Sequence, residues 1–143
     1  MKLSRTVTYA LQASLQLAKL KTSRPVPCSQ LAADGQMPER FLLQILRNLV
    51  NHGILRSTRG VDGGYALVRS PNEISLLDVI EAIDGPMGAG MPENKGFSVD
   101  SQAELQAALK EVSATARKQL NEIKLSQLIA TDAPVQPEFD TNN

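Results

Sequence analysis

Residues 38–68, PERFLLQILRNLVNHGILRSTRGVDGGYALV, run an amphipathic helix directly into a glycine-rich hairpin. Pro38 stands where a first-turn proline loses no hydrogen bond, and apolar residues then recur at helical spacing up to Gly53. Phe41, Leu42, Ile45, Leu46 and Leu49 form the expected buried stripe, while Glu39, Arg40, Gln44, Arg47 and Asn48 decorate the remaining surface. Ile54 to Thr58 and Tyr65 to Val68 follow as two predicted strands closed by RGVDGG. A helix that runs straight into a hairpin is the feature the rest of the chain must fit.

The preceding residues narrow it further. Ser29 is placed to cap a short helix, QLAAD, which Gly35 ends in the position where a left-handed residue is cheap. Two helices joined by a short glycine-containing turn, the second presenting Arg, Gln and Asn, form the helix-turn-helix pattern. A plain helical hairpin with a solvated outer face has the same outline. The added β-hairpin favours a winged helix. Upstream, Val7, Leu11, Leu15 and Ala18 mark one stripe of a helix between Leu3 and Leu20, and the two prolines of KTSRPVPCSQ break it.

Charge is distributed unevenly. The chain of 143 residues has a formal net charge of zero. Yet residues 1–70 hold ten Lys or Arg against three acids, a balance of +7, and the remainder holds five against twelve, a balance of −7. Such polarity suits a basic face for a polyanion, although charge can also drift along a soluble surface. The length fits one domain with an arm or tail, and 42% hydrophobic residues is ordinary for a globular protein. No run is long enough to span a bilayer and no secretion signal is evident, so the expected location is the cytoplasm. A single cysteine, Cys28, excludes an internal disulfide, and with one histidine, His52, a zinc site within one chain is not expected.

At the hairpin tip, Gly60, Gly63 and Gly64 carry little bulk, which lets the backbone approach another surface. Arg59 is then the one long cation at the tip, suited to the concentrated negative potential of a narrow minor groove. A solvated Arg59 on a hairpin whose glycines serve only the turn is the plain alternative.

LSRTVTYALQASLQLA, FLLQILRNLVNHGILRSTRGVDGGYALVRSPNEISLLDVIEAIDG and the RGxxGGY wing together resemble the Rrf-two family of bacterial transcription regulators, the IscR, NsrR and CymR group. The resemblance covers about residues 1–85 and continues more weakly through a C-terminal helix. It implies a mostly α, winged helix-turn-helix homodimer that binds pseudo-palindromic promoter DNA and usually represses. Carried over by position, the recognition helix begins at Pro38 and turns Glu39, Arg40, Leu43 and Gln44 to the major groove. There Arg40 suits guanine and Gln44 suits adenine. Leu43 stands where relatives can carry a polar base-reading residue; an apolar side chain there can touch a thymine methyl but cannot accept from cytosine, so site preference should differ. Arg59 and Gly60 match wing residues that enter the minor groove, and Lys2, Ser4 and Arg5 match positions beside the phosphate backbone. Arg47, Arg56, Ser57, Thr58, Gly63, Gly64 and Tyr65 complete the candidate double-stranded DNA interface. Tyr9 is expected in core packing.

Beyond the wing, Ser75 and Asp78 form an S-x-x-D capping arrangement for a helix to Ile83. Residues 1–85 are expected to form the DNA-binding domain, 86–100 a flexible loop, 101–130 a dimerisation helix and 131–143 a disordered tail. Leu105, Leu109, Val112, Ala116, Leu120 and Ile123 form the seam expected to pair with a second copy, part of which could instead pack on the chain's own first helix.

Many relatives carry three cysteines in the loop, which bind an iron–sulfur cluster. Residues 86–100 contain no cysteine and no histidine, so no cluster and no other cofactor or metal is expected. The regulating signal is then an unidentified small molecule or a protein effector. Cys28 could act as a thiol sensor if a helix dipole lowered its pKa, but inert packing is the better fit. His52 is expected to complete a helix end. Met87 and Met91 in the loop suit flexible filler better than an effector pocket. No nucleophile–base pair or phosphate loop points to an enzyme. The rival from another class is a winged-helix protein-interaction module whose basic half docks an acidic partner without sequence-specific DNA binding.

Overall fold

The computed structural model describes residues 1–20, 22–88 and 90–130; the expected disordered tail, 131–143, lies outside them. Helix α1 spans Arg5–Ala18 and is capped by Ser4, whose hydroxyl oxygen accepts from the Val7 amide at 3.2 Å. Its buried face is Val7, Ala10, Ala13, Ser14, Leu17 and Ala18. Leu11 and Leu15, expected in the centre of the stripe, are only half-buried and flank it. The small residues at the centre let the neighbouring helices approach, and Ser14 meets burial by donating to the Ala10 carbonyl at 2.8 Å.

Helix α2 spans Cys28–Gly35 and follows Pro27, so Ser29 sits inside the first turn and does not cap it. The left-handed residue beyond it is Gln36, at φ 53°, not Gly35. Gly35 instead lies in close packing: a Cβ there would stand 2.7 Å from Gln12 Nε2 and from Met37 Cε, the far ends of two flexible side chains. The Gln12 amide uses that closeness to donate to the Gly35 carbonyl at 2.7 Å.

Helix α3 spans Glu39–Asn51, with Pro38 as its N-cap. Gly53, at φ +73°, ends it. The Ile54 amide donates back to Leu49 and the Gly53 amide to Val50, each at 3.0 Å, satisfying the last carbonyls before the chain enters the wing. Leu42, Ile45, Leu46 and Leu49 are buried as expected. Phe41 is not: it is 41% exposed and meets Tyr9 edge-to-face, with ring centroids 5.8 Å apart at 76°. The Tyr9 ring in turn is half-buried against the core, in keeping with its expected packing role.

Strands β1 (Leu55–Thr58) and β2 (Gly64–Leu67) pair antiparallel, Leu55 opposite Leu67 and Thr58 opposite Gly64. Ile54 and Val68 lie just outside the strands, one residue inward of the expected limits, joined by a Val68 amide to Ile54 carbonyl bond at 3.0 Å. Val26 adds a third rung. Its amide donates to Tyr65 and its carbonyl accepts from Tyr65, both at 2.8 Å. Helix α4 spans Leu76–Asp84 and begins with the expected reciprocal cap. The Asp78 amide donates to Ser75 Oγ at 3.0 Å, and the Ser75 amide donates to Asp78 Oδ2 at 2.9 Å.

The C-terminal region departs from a single helix over 101–130. Helix α5 spans Val99–Glu122 and starts at the Ser98 cap; α6 spans Leu125–Ala130. Between them the chain is extended, because Ile123 and Lys124 bridge the segment before α4. The Leu76 amide donates to Ile123 at 2.8 Å and the Leu125 amide donates to Ile74 at 2.9 Å. Leu125 is fully buried in the main core with Ile74, Val79 and the α3 leucines. Leu120 is buried against Val7, Leu77 and Ile80. Leu120 and Ile123 therefore leave the expected dimer seam: the first packs on its own domain and the second lies beyond the helix. Three helices, a hairpin wing and the helices that buttress them make a winged helix-turn-helix body, from which α5 extends.

Candidate nucleic-acid interface

Capping and packing fix which side chains α3 can offer. With Leu42, Ile45, Leu46 and Leu49 turned inward, Glu39, Arg40, Gln44 and Arg47 are exposed, as is Pro38 at the start; Leu43 is half-buried. Arg40, Gln44 and Arg47, spaced four and three residues apart, share one helical face. The Tyr9–Phe41 contact brings α1 against the first turn of α3. It thereby sets the exposed N-terminal residues Lys2, Ser4 and Arg5 on the element next to Arg40. Sequence reasoning missed this aromatic bridge because Phe41 fits the apolar stripe equally well. Ser4 spends its acceptor on the cap, leaving its hydroxyl proton free for an outside group.

The wing divides into a free tip and an anchored stem. Thr58, Arg59, Gly60, Val61 and Asp62 are exposed, and the tip is closed by the Gly63 amide donating to Gly60 at 3.0 Å. Gly60 has φ +110° and no atom within 4 Å of where a Cβ would stand. Gly63 and Gly64 approach the chain itself. A Cβ on Gly63 would stand 2.2 Å from the Thr58 carbonyl oxygen, and one on Gly64 2.3 Å from the Val26 carbonyl carbon. Tyr65 spends its amide and carbonyl on Val26. Ser57 is exposed opposite Tyr65. Arg56, exposed on β1, donates from Nη2 to the Ser23 carbonyl at 3.1 Å, so it braces the wing against segment 22–26. Among the N-terminal arm, α3 and the hairpin, Lys2, Arg5, Arg40, Arg47, Arg56 and Arg59 face only Glu39 and Asp62 in opposite charge. This is the electrostatic profile of a surface for a polyanion.

On α5, Leu105, Leu109 and Val112 are 38%, 37% and 66% exposed, and Ala116 is half-buried. The last turns are tied down by Leu120 and by Arg117, whose Nη2 donates to Glu81 Oε1 at 2.8 Å. Among the described residues no helix is long and apolar enough to cross a membrane.

A helix-turn-helix with its polar face outward, a hairpin wing and a projecting helix with an exposed apolar stripe define a winged-helix protein. Residues 3–131 match the Rrf2 (Rrf-two) family, described as an iron-dependent transcriptional regulator, and the chain belongs to that family. It is 42% identical over 89 residues to a Mycobacterium tuberculosis protein bearing the name of an HTH-type transcriptional regulator, covering 62% of this chain and 55% of that one. It is 30% identical over 130 residues to the HTH-type transcriptional regulator IscR of Cronobacter sakazakii, covering 90% and 80%. The solved structure of CymR, the global cysteine regulator of Bacillus subtilis, superposes with a TM-score of 0.75 over 93% of this chain and 99% of that chain. At 24% identity that likeness establishes the fold. The chain spans little more than half the length of the first curated relatives it matches.

The family's iron dependence can be tested against the donors this chain possesses. The segment between α4 and α5 offers no thiolate or imidazole. Cys28 lies half-buried on α2 with Sγ 3.7 Å from the Glu39 carbonyl, and burial, with the Glu39 charge added, pushes its thiol pKa up. That direction opposes the lowered pKa a thiol sensor requires and agrees with inert packing. His52 caps α3, its Nδ1 donating to the Asn48 carbonyl at 2.8 Å. Among the described residues no three His, Cys, Asp or Glu side chains converge on a possible metal position. These residues do not fit an iron–sulfur cluster.

Proposed function

We propose that the chain is a sequence-specific, DNA-binding transcription regulator that works as a homodimer on a pseudo-palindromic promoter site and represses. Its signal is a small molecule or a partner protein, not an iron–sulfur cluster. The observation that carries this reading is the pairing of an exposed Arg40–Gln44–Arg47 face on α3 with an exposed Arg59 at a braced wing tip. α3 lies in the major groove, where Arg40 addresses guanine O6/N7 and Gln44 adenine N6/N7. Each good bidentate pair contributes about 1–3 kcal/mol of discrimination. Arg59 enters the adjacent minor groove, and Lys2 and Arg5 hold phosphates. The apolar Leu105–Leu109–Val112 face of α5 joins two copies, setting two recognition helices about one DNA turn apart.

The test is fluorescence anisotropy with the DNA upstream of the reading frame against a scrambled duplex, from about 50 to 200 mM salt. Wild type and Arg59→Ala are run together. The expected result is a preference for the native fragment that Arg59→Ala removes, with a log–log salt slope near −0.9 per phosphate contacted. Equal binding to both duplexes, unchanged by the substitution, would overturn self-regulation through this wing and leave a protein-interaction module in its place.

A further inference from the structure

Between the end of α1, segment 20–24, β2 and the 3₁₀ turn Pro71–Glu73 lies a cleft of about 270 Å³. Leu17, Leu20, Leu67 and Pro71 give it an apolar wall, and two exposed arginines, Arg24 and Arg69, stand in its lining. Among the described residues no carboxylate lines it. The two cations are poorly engaged. Arg69 reaches the Glu73 carbonyl only at 3.4 Å and Asp78 Oδ2 only at 3.8 Å. The Arg24 guanidinium makes no hydrogen bond or ion pair to a described residue, although its amide donates to Thr22 Oγ1 at 3.1 Å.

Two planar cations with donors to spare, beside an apolar slot that holds no acid, fit one kind of ligand. The charges call for a carboxylate, which a guanidinium can grip through two parallel bonds. The apolar wall calls for a compact hydrocarbon body, and the volume lies near the lower end for ligand cavities. We propose that this cleft binds a small amphipathic carboxylate and that its occupation sets the wing. The second half follows from connectivity. Arg24 belongs to the piece of chain whose Ser23 carbonyl accepts from Arg56 of β1 and whose Val26 exchanges two hydrogen bonds with Tyr65 of β2. The floor of the cleft, Ala66 and Leu67, is β2 itself. A carboxylate bridging Arg24 and Arg69 orders both supports of the wing at once. This consequence for DNA rests on the regulator reading above, whereas the binding site does not.

Titration calorimetry on the full chain without DNA separates the two. Benzoate carries the charge and the body, benzamide the body alone, and acetate the charge alone. Benzoate should saturate, with benzamide and acetate at least about tenfold weaker, and Arg24→Gln and Arg69→Gln should each weaken benzoate about tenfold. Both arginines are exposed, so the variants should fold. Benzamide binding as well as benzoate, no saturation by about 10 mM benzoate, or arginine variants that bind unchanged would each overturn the site. Saturating benzoate should also shift operator affinity severalfold in wild type but not in Arg24→Gln. An unmoved wild-type affinity would overturn the coupling. A loss of about one unit of salt slope in Arg24→Gln, with benzoate not binding, would reassign Arg24 to a DNA phosphate.

Discussion

Gly64→Ala is the sharpest probe of how the wing is held. The added Cβ would stand 2.3 Å from the Val26 carbonyl carbon and 2.4 Å from its oxygen, distances at which backbone must move. Gly64 also has φ +148°, which an alanine adopts only under strain. Moving Val26 away sacrifices two 2.8 Å hydrogen bonds to Tyr65, each contributing about 1 kcal/mol net. With about 1 kcal/mol or more of backbone strain added, the expected cost is about 3 kcal/mol, or roughly 10 °C in Tm for a domain of this size. Gly60→Ala is the internal control. It carries the φ penalty, at +110°, but has no neighbour within 4 Å, so about 1 kcal/mol is expected. Urea unfolding followed by circular dichroism measures both, and amide exchange at Val26 and Tyr65 shows whether the loss is at the seam. A Gly64→Ala variant no less stable than Gly60→Ala, with both amides still protected, would refute the bracing role given to segment 22–26.

Three further outcomes follow from the packing. Ser75→Ala removes one half of the reciprocal cap at a fully buried position and should cost about 1–2 kcal/mol in chemical unfolding, while Ser29→Ala, which loses no cap, should cost little. For the dimer proposed above, Val112→Glu should give monomers in sedimentation velocity with the fold intact by circular dichroism; Leu120→Ala should instead lower stability by about 2–3 kcal/mol. Cys28, its thiol pKa raised by burial and then by Glu39, holds less thiolate than a free cysteine at any pH near neutrality. Its alkylation by iodoacetamide should be slower than that of a cysteine peptide at pH 7.5 and should climb as pH rises past the peptide's own midpoint, about 8.5.

How much of this was legible in sequence depended on whether the cause was local. The Ser75–Asp78 cap needs only two residues three apart, and it forms as expected. The stripe of α3 was legible because large apolar side chains mark it. That of α1 was shifted because its centre is built from Ala10, Ala13 and Ser14, which carry almost no hydropathy. The break at Ile123–Lys124 has no proline or glycine to announce it. It exists because two backbone bonds reach across to Ile74 and Leu76, some 50 residues away in sequence. Gly35 and Gln36 show the same limit: local turn chemistry assigns the left-handed position to the glycine, whereas Gln36 takes it and Gly35 lies against the side-chain ends of Gln12 and Met37. Of the candidate interface, the exposed α3 face was legible from periodicity. The anchoring of Gly64, Tyr65 and Arg56 was not, since their partners lie in a segment with no regular element of its own.

The way α5 is seated has a mechanical consequence. At 24 residues it is about 36 Å long, and Leu120 and the Arg117–Glu81 pair fasten its last turns to the body. Its exposed apolar residues Leu105, Leu109 and Val112 lie farther out, toward mid-helix, so the helix is a cantilever fixed at one end. A tilt of about 5° at the clamp displaces Leu105, about 20 Å away, by roughly 2 Å, and a symmetric pair doubles that shift to about the rise of one base pair. In a paired regulator, the separation of the two reading heads is thus set by a few side chains at the root of the arm. A change there, far from any base, would select operators of a different spacing.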